Sequence, residues 1–121
     1  HHAAITVAGA GALLERCTTI GPAYVNGILY DIDKRYPAVV LYGEERVYGE
    51  VWRCPAANLL QLDEYEGVQD GLFRRVALEV SMLDGTTLPC WLYAAGPALS
   101  RKLLPEQRIR SGRYGQHVED R

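Results

Sequence analysis

Leu62-Asp63-Glu64-Tyr65-Glu66-Gly67-Val68 is the stretch from which the rest of this 121-residue chain can be read. Helix-forming residues run up to a glycine, which stops a helix readily because it adopts left-handed backbone angles at no steric cost. Upstream, Pro55 stands where a first helical turn tolerates a missing amide, and Leu59, Leu60 and Leu62 supply an apolar side. The stretch therefore closes a short helix between two β-rich halves. It also leaves a carboxylate, Glu66, in the last turn, where the helix dipole disfavours negative charge by a few tenths to about 1 kcal/mol. That effect raises the pKa toward the range a general acid/base needs. A solvated acidic helix end reads the same way from these seven residues alone, so the chemical reading depends on the neighbours.

Working outward, Ala23 to Tyr30 is rich in aromatic and branched residues, with Asn26-Gly27 inside reading as a bulge more than as a hairpin turn. Tyr36 to Tyr42 and Arg46 to Trp52 read as the next two strands, joined through Gly43-Glu44-Glu45. In the second, Val47, Gly49 and Val51 alternate with Tyr48, Glu50 and Trp52, giving one small apolar face and one polar-aromatic face. After the helix, a long strand from Leu72 to Met82 reaches Asp84-Gly85, the strongest short hairpin signal in the chain, and Thr86 to Ala94 returns. Pro89 marks an edge or bulge position in that returning strand. Residues 12–17 read as a helix closed by Gly21-Pro22, Leu99 to Leu104 as a short polar helix, and Ile109 to Tyr114 as an irregular closing segment. The fold class is α+β: an antiparallel-rich, barrel-like sheet of five or six strands with short helices outside.

The totals fit one domain over residues 1–121, large enough to bury a core. Hydrophobic residues are 48% and charged residues 23%, ordinary globular values that argue against disorder. No apolar run approaches the length of a membrane span, and a formal charge of −2 gives no polyanion-binding footprint. Neither membrane nor nucleic acid is an expected partner. Cys17, Cys54 and Cys90 are odd in number and lack C-x-x-C spacing, so they read as small core hydrophobes in a reducing cytoplasm. His1 and His2 read as a mobile terminus or tag remnant, and no metal site is expected. Ile5 to Gly11 followed by Ala12-Leu13-Leu14 has the outline of a strand, a G-x-G turn and a helix. Leu14 occupies the third glycine position and no crossover units follow, so a dinucleotide site is set aside.

Six further blocks stand in order around the opening stretch: Gly27-Ile28-Leu29-Tyr30-Asp31, Tyr36-Pro37-Ala38-Val39-Val40, Val47-Tyr48-Gly49-Glu50-Val51-Trp52, Phe73-Arg74-Arg75-Val76, Trp91-Leu92-Tyr93 and Ile109-Arg110-Ser111-Gly112. Together, over residues 13 to 114, they resemble the γ-glutamylcyclotransferase-like (AIG2-like) family. The resemblance implies that family's mixed β-barrel with short flanking helices. It also implies an intramolecular reaction without a cofactor, in which the α-amine of a γ-glutamyl group attacks its own γ-carbonyl, forms 5-oxoproline and expels the amine. Glu66 maps onto the family's acid/base. Tyr36 and Pro37 map onto the pocket rim or form a rigid structural turn, Phe73 falls near the substrate, Tyr93 lines the pocket or is a core aromatic with a wet edge, and Ser111 and Gly112 map onto the closing segment; Asp63 is expected to be structural, and Arg75 either a matching Arg or a surface ion-pair partner.

Three departures qualify that mapping. The family's opening strand and Y-G-[ST]-L turn, whose amides hold the glutamyl group, have no counterpart expected here, since Val7-Ala8-Gly9-Ala10-Gly11 lacks the Tyr and the hydroxyl. Phe73 stands where the family has Tyr, and Arg113-Tyr114 replaces an acid and a Trp after Ser111-Gly112. Two readings follow: a cyclotransferase acting on a γ-glutamyl amine or γ-glutamyl amino acid, or a catalytically silent relative that binds a small metabolite or a protein through the same pocket. In either case the expected state is a monomer or a small homo-oligomer.

Overall fold

A computed structural model describes residues 2–7 and 15–120 of the chain. Among the described residues seven strands and three short α-helices follow one another: β1 (His2–Thr6), β2 (Thr18–Asn26), β3 (Ile28–Ile32), β4 (Tyr36–Val40), β5 (Arg46–Cys54), α1 (Ala56–Tyr65), β6 (Phe73–Met82), β7 (Thr87–Ala95), α2 (Pro97–Ser100) and α3 (Tyr114–Glu119), with a 3₁₀ turn over Pro105–Gln107. Five strands close a barrel in the order β1-β5-β2-β6-β7, and β3 and β4 form a separate two-stranded sheet. All pairings in the barrel are antiparallel except β1 with β7, where Ala4 meets Trp91 and Ile5 meets Leu92 in parallel. The α+β mixed barrel with short helices outside is thus the observed architecture.

The barrel closes because its strands alternate. In β5, Val47 and Val51 are sealed inside with Ile5, Val25, Val80 and Leu92, as the period-two pattern requires. A second core of Ile32, Ala38, Phe73, Ala95 and Leu99 joins the β3–β4 hairpin to one end of the barrel. A third, formed by Ala4, Leu59 and Leu62 with Trp91 and Tyr93 against it, fastens α1 to the outside. Leu60 takes no part, being 69% exposed, so the apolar side of α1 is narrower than the sequence suggests.

Several expectations are corrected. Gly21-Pro22 does not close a helix: both lie inside β2, where the register with β5 slips between Thr19 and Gly21, a bulge that absorbs an awkward residue in a strand. Of the helix expected over 12–17, residues 12–14 lie outside the described residues and 15–16 form a turn. Asn26-Gly27 is neither hairpin nor bulge but the corner at which the chain leaves the barrel for the outer hairpin. The helix expected over Leu99 to Leu104 begins earlier, at Pro97, whose fixed φ suits a first turn. Beyond the irregular segment a further helix, α3, forms. In place of an absent opening strand, His2–Thr6 fills the gap between β5 and β7; the Y-G-[ST]-L sequence does not occur, and residues 8–11 of the Val7–Gly11 segment lie outside the described residues.

The cysteines also differ from expectation. Cys17 and Cys54 are joined in a disulfide with Cα atoms 4.4 Å apart, and Cys90 alone is free and buried. An odd count leaves one thiol over without forbidding a pair, and the fold brings the segment before β2 alongside the end of β5. Pro89 behaves as expected: it pairs with Glu79 of β6 while β1 reaches only Trp91 and Leu92, so its missing amide faces no ladder on the far side. Among the described residues no helix is long and apolar enough to cross a membrane.

Candidate active site

The end of α1 is shaped by its glycine. Gly67 sits at φ 62°, its N–H donates to the Glu64 carbonyl at 3.1 Å, and the Val68 N–H donates to the Asp63 carbonyl at 3.1 Å. This pair of bonds is the Schellman arrangement, which only a left-handed residue after the last helical position permits without strain. It fixes Glu66 as the C-cap of the helix, its own N–H bonded to the Leu62 carbonyl at 2.8 Å. From there the side chain contributes to the wall of a cavity of about 300 Å³.

That cavity opens between the barrel and the β3–β4 hairpin. Tyr36 and Pro37 come from β4, Phe73 from the start of β6, Leu92 and Tyr93 from β7, Ile5 and Thr6 from β1, and Tyr65 and Glu66 from α1 and its cap. Tyr36 and Phe73 meet edge to face with centroids 5.9 Å apart, a geometry their quadrupoles favour. The lining is therefore mostly apolar, and its effect on Glu66 is direct. Burial raises the pKa of Glu66 from 4.5 to about 7, because a half-buried carboxylate loses hydration that nothing nearby replaces.

Behind this wall stands a small polar frame. The Tyr93 hydroxyl donates to Asp63 Oδ1 at 2.6 Å and lies 3.2 Å from the Leu59 carbonyl oxygen. The same Oδ1 accepts from Arg75 Nε at 3.1 Å, and the Arg75 guanidinium lies 4.5 Å from the Trp91 ring centre. Asp63 thus ties the helix to side chains of β6 and β7. Burial first, and the Asp63 hydrogen bond second, hold the Tyr93 phenol well above its ordinary pKa, so Tyr93 stays neutral.

Five of the seven residues expected at the site, Tyr36, Pro37, Glu66, Phe73 and Tyr93, surround this one cavity. Ser111 and Gly112 do not. The Ser111 hydroxyl caps the Arg113 N–H at 3.2 Å, and the Gly112 carbonyl accepts from the Tyr48 N–H at 2.8 Å, which ties the closing segment to β5. A Cβ on Gly112 would overlap the Arg46 carbonyl, so this glycine serves close backbone approach. Their neighbour Tyr114 reaches the cavity in their stead.

Arg35 also belongs to the cavity, although the sequence does not single it out. It lines the cavity from the β3–β4 turn, where Asp33 and Lys34 hold left-handed φ of 53° and 61° and the Arg35 N–H donates to the Ile32 carbonyl at 2.9 Å. A polar Asp-Lys-Arg run between two strands reads as a solvated turn; its one signal was adjacency to Tyr36-Pro37. No group of three or more His, Cys, Asp or Glu able to hold a metal ion occurs among the described residues.

Comparison with known proteins adds to this geometry. Residues 6–116 match the family model described as gamma-glutamyl cyclotransferase, AIG2-like. Among curated proteins, the gamma-glutamylcyclotransferases of Mus musculus and Homo sapiens are 37% and 35% identical over 49 residues, 40% of this chain. The matched stretch spans only 26% of those relatives. Among solved structures, an AIG2-like protein from Mus musculus superposes with a TM-score of 0.73 at 20% identity, covering 94% of this chain and 89% of the other. A gamma-glutamyl cyclotransferase superposes with a TM-score of 0.66 at 17% identity, covering 78% and 66%. At such identities the structural likeness speaks to the fold alone.

Proposed function

This chain belongs to the gamma-glutamyl cyclotransferase, AIG2-like family, and on that premise we propose that it cyclises a γ-glutamyl amine or γ-glutamyl amino acid to 5-oxoproline. The observation that carries this reading is Glu66: a carboxyl in the wall of an otherwise largely apolar cavity, with a pKa raised to about 7. A group titrating near neutrality both takes and returns a proton with little driving force lost, which is the requirement of general acid/base catalysis.

The bond changes are few. Glu66 takes a proton from the α-ammonium, the freed amine nitrogen forms a bond to the γ-carbonyl carbon, and the original C–N bond breaks. As that bond breaks Glu66 returns its proton to the departing nitrogen, and the second proton that the ring nitrogen sheds on becoming a lactam follows by the same carboxylate, so the amine leaves as an ammonium, Glu66 ends as it began and no cofactor enters the reaction. Ring closure within one molecule is already favoured by proximity, and the cavity adds a fixed, poorly hydrated setting. Phe73 and Tyr36 confine the glutamyl chain, while Tyr93, its proton engaged by Asp63, offers its ring. The reading extends to a small-molecule substrate and a monomer or small homo-oligomer, whereas the Cys17–Cys54 disulfide removes the cysteine argument for a reducing cytoplasm.

Release of 5-oxoproline from γ-glutamyl-alanine tests it. Glu66→Gln keeps the shape of the side chain but cannot accept the proton, so kcat falls by roughly two to four orders of magnitude while the far-ultraviolet spectrum is kept. A variant with near-native kcat overturns the assignment. Phe73, where the family motif has Tyr, favours a second reading, a pocket that binds without turnover. Wild-type protein that binds γ-glutamyl compounds and releases nothing would establish it.

A further inference from the structure

Among the described residues the cavity wall carries two formal charges, Glu66 and Arg35, and the other lining side chains are neutral. Any γ-glutamyl compound brings a matching pair on a single carbon atom: the α-ammonium that must lose its proton and an α-carboxylate that takes no part in bond making. With the ammonium at Glu66, the carboxylate is left to the opposite wall, where Arg35 stands exposed at the cavity rim. We propose that Arg35 is the binding residue for this α-carboxylate, an inference that rests on the cyclotransferase reading and deepens it.

The placement of Arg35 suits the task. Arginine presents a planar fork of N–H groups that engages both oxygens of a carboxylate, and it is always charged. Among the described residues the ion pairs are Arg75 with Asp63, Arg108 with Glu45 and His117 with Asp31, and none of them engages the Arg35 guanidinium. Its backbone is held by the turn, and the next residue, Tyr36, is fixed against Phe73. Two opposite charges held apart on two walls orient the α-carbon between them. The amine nitrogen is thereby turned toward Glu66 and the side chain is left to fold back on its own carbonyl.

The test compares γ-glutamyl-alanine with the same compound amidated at the glutamyl α-carboxyl, reading alanine release, which both yield. In the wild type, kcat/KM favours the carboxylate by roughly 10- to 100-fold, the range for hydrogen bonds to a charged group. Arg35→Gln brings that ratio to about one, and Arg35→Lys, which keeps the charge without the fork, retains part of it. A ratio unchanged in Arg35→Gln overturns the proposal. Release of alanine from neither compound would instead be a failure of the cyclotransferase reading. Calorimetry then decides the role of Arg35: a wild-type preference for 5-oxoproline over 2-pyrrolidinone that disappears in Arg35→Gln supports it, and no preference, or one that survives, refutes it.

Discussion

Removing the charge of Glu66 should make the protein more stable at alkaline pH, although the proposed reaction requires that charge. The folded-state pKa lies near 7 against an ordinary 4.5. Between those two pH values the folded protein holds a proton that the unfolded chain has released, so stability falls as pH rises through this window and levels off above it. The full difference corresponds to roughly 3 kcal/mol against the charged form. The carboxylate is half-buried, not sealed, and solvent screening reduces the expectation to about 1.5 kcal/mol. Glu66→Gln cannot acquire that charge. Urea unfolding of both proteins at intervals from pH 4 to pH 8 measures the effect, and subtracting the two profiles cancels the other titrating groups. The difference should be near zero at pH 4 and reach about 1.5 kcal/mol in favour of the variant by pH 8, equivalent to about 5 °C in Tm for a domain of this size. Parallel profiles would mean that the carboxylate is fully hydrated, and the case for Glu66 as a poised acid/base would go with them.

Two other outcomes follow from the surroundings of the site. Tyr93→Phe removes the hydroxyl that bridges β7 to Asp63 and Leu59, and should lower unfolding free energy by about 1–2 kcal/mol in urea; a loss under about 0.5 kcal/mol would show that the bond is not held in solution. Reduction of Cys17–Cys54, whose partners are 37 residues apart, should cost about 3–4 kcal/mol by the loop-entropy estimate, read as a drop in Tm with dithiothreitol. Thiol titration under denaturing, non-reducing conditions should find one group, Cys90; three groups in protein isolated under non-reducing conditions would mean that the bridge does not form.

The parts of this molecule legible in the sequence are those governed by local pattern. Val47, Gly49 and Val51 alternate, Asp84-Gly85 turns, and Gly67 stops a helix whatever surrounds it, so β5, the β6–β7 hairpin and the end of α1 can be placed from the chain itself. Glu66 was found for the same reason, since its position follows from Gly67 and the ordered blocks around it. The features that escaped depend on contacts between distant segments. Gly21-Pro22 looks like a helix terminator until β5 supplies a partner for a bulged strand. Cys17 and Cys54 look like isolated hydrophobes until the barrel sets them side by side. Arg35 is exposed in the fold as the sequence suggests, but its place at the cavity follows only once the β3–β4 hairpin is laid across the barrel mouth. Ser111 and Gly112 were placed at the pocket by order along the chain, whereas Gly112 answers to the Arg46 backbone and Tyr114 takes the wall.

The separate two-stranded sheet has an evolutionary consequence. The barrel side of the pocket provides Glu66 and the neutral rings of Phe73 and Tyr93, while the hairpin side provides Arg35, Tyr36 and Pro37. No strand ladder joins the two sheets, whose contact runs through side chains such as Ile32, Ala38, Phe73 and Ala95. Substitutions, or even changes of length, in the Asp33-Lys34-Arg35 turn can therefore be tried without altering the register of any barrel strand. A lineage can redraw the hairpin wall of the pocket while Glu66, at the C-cap of α1, keeps its place on the barrel side, an arrangement in which the two walls vary independently.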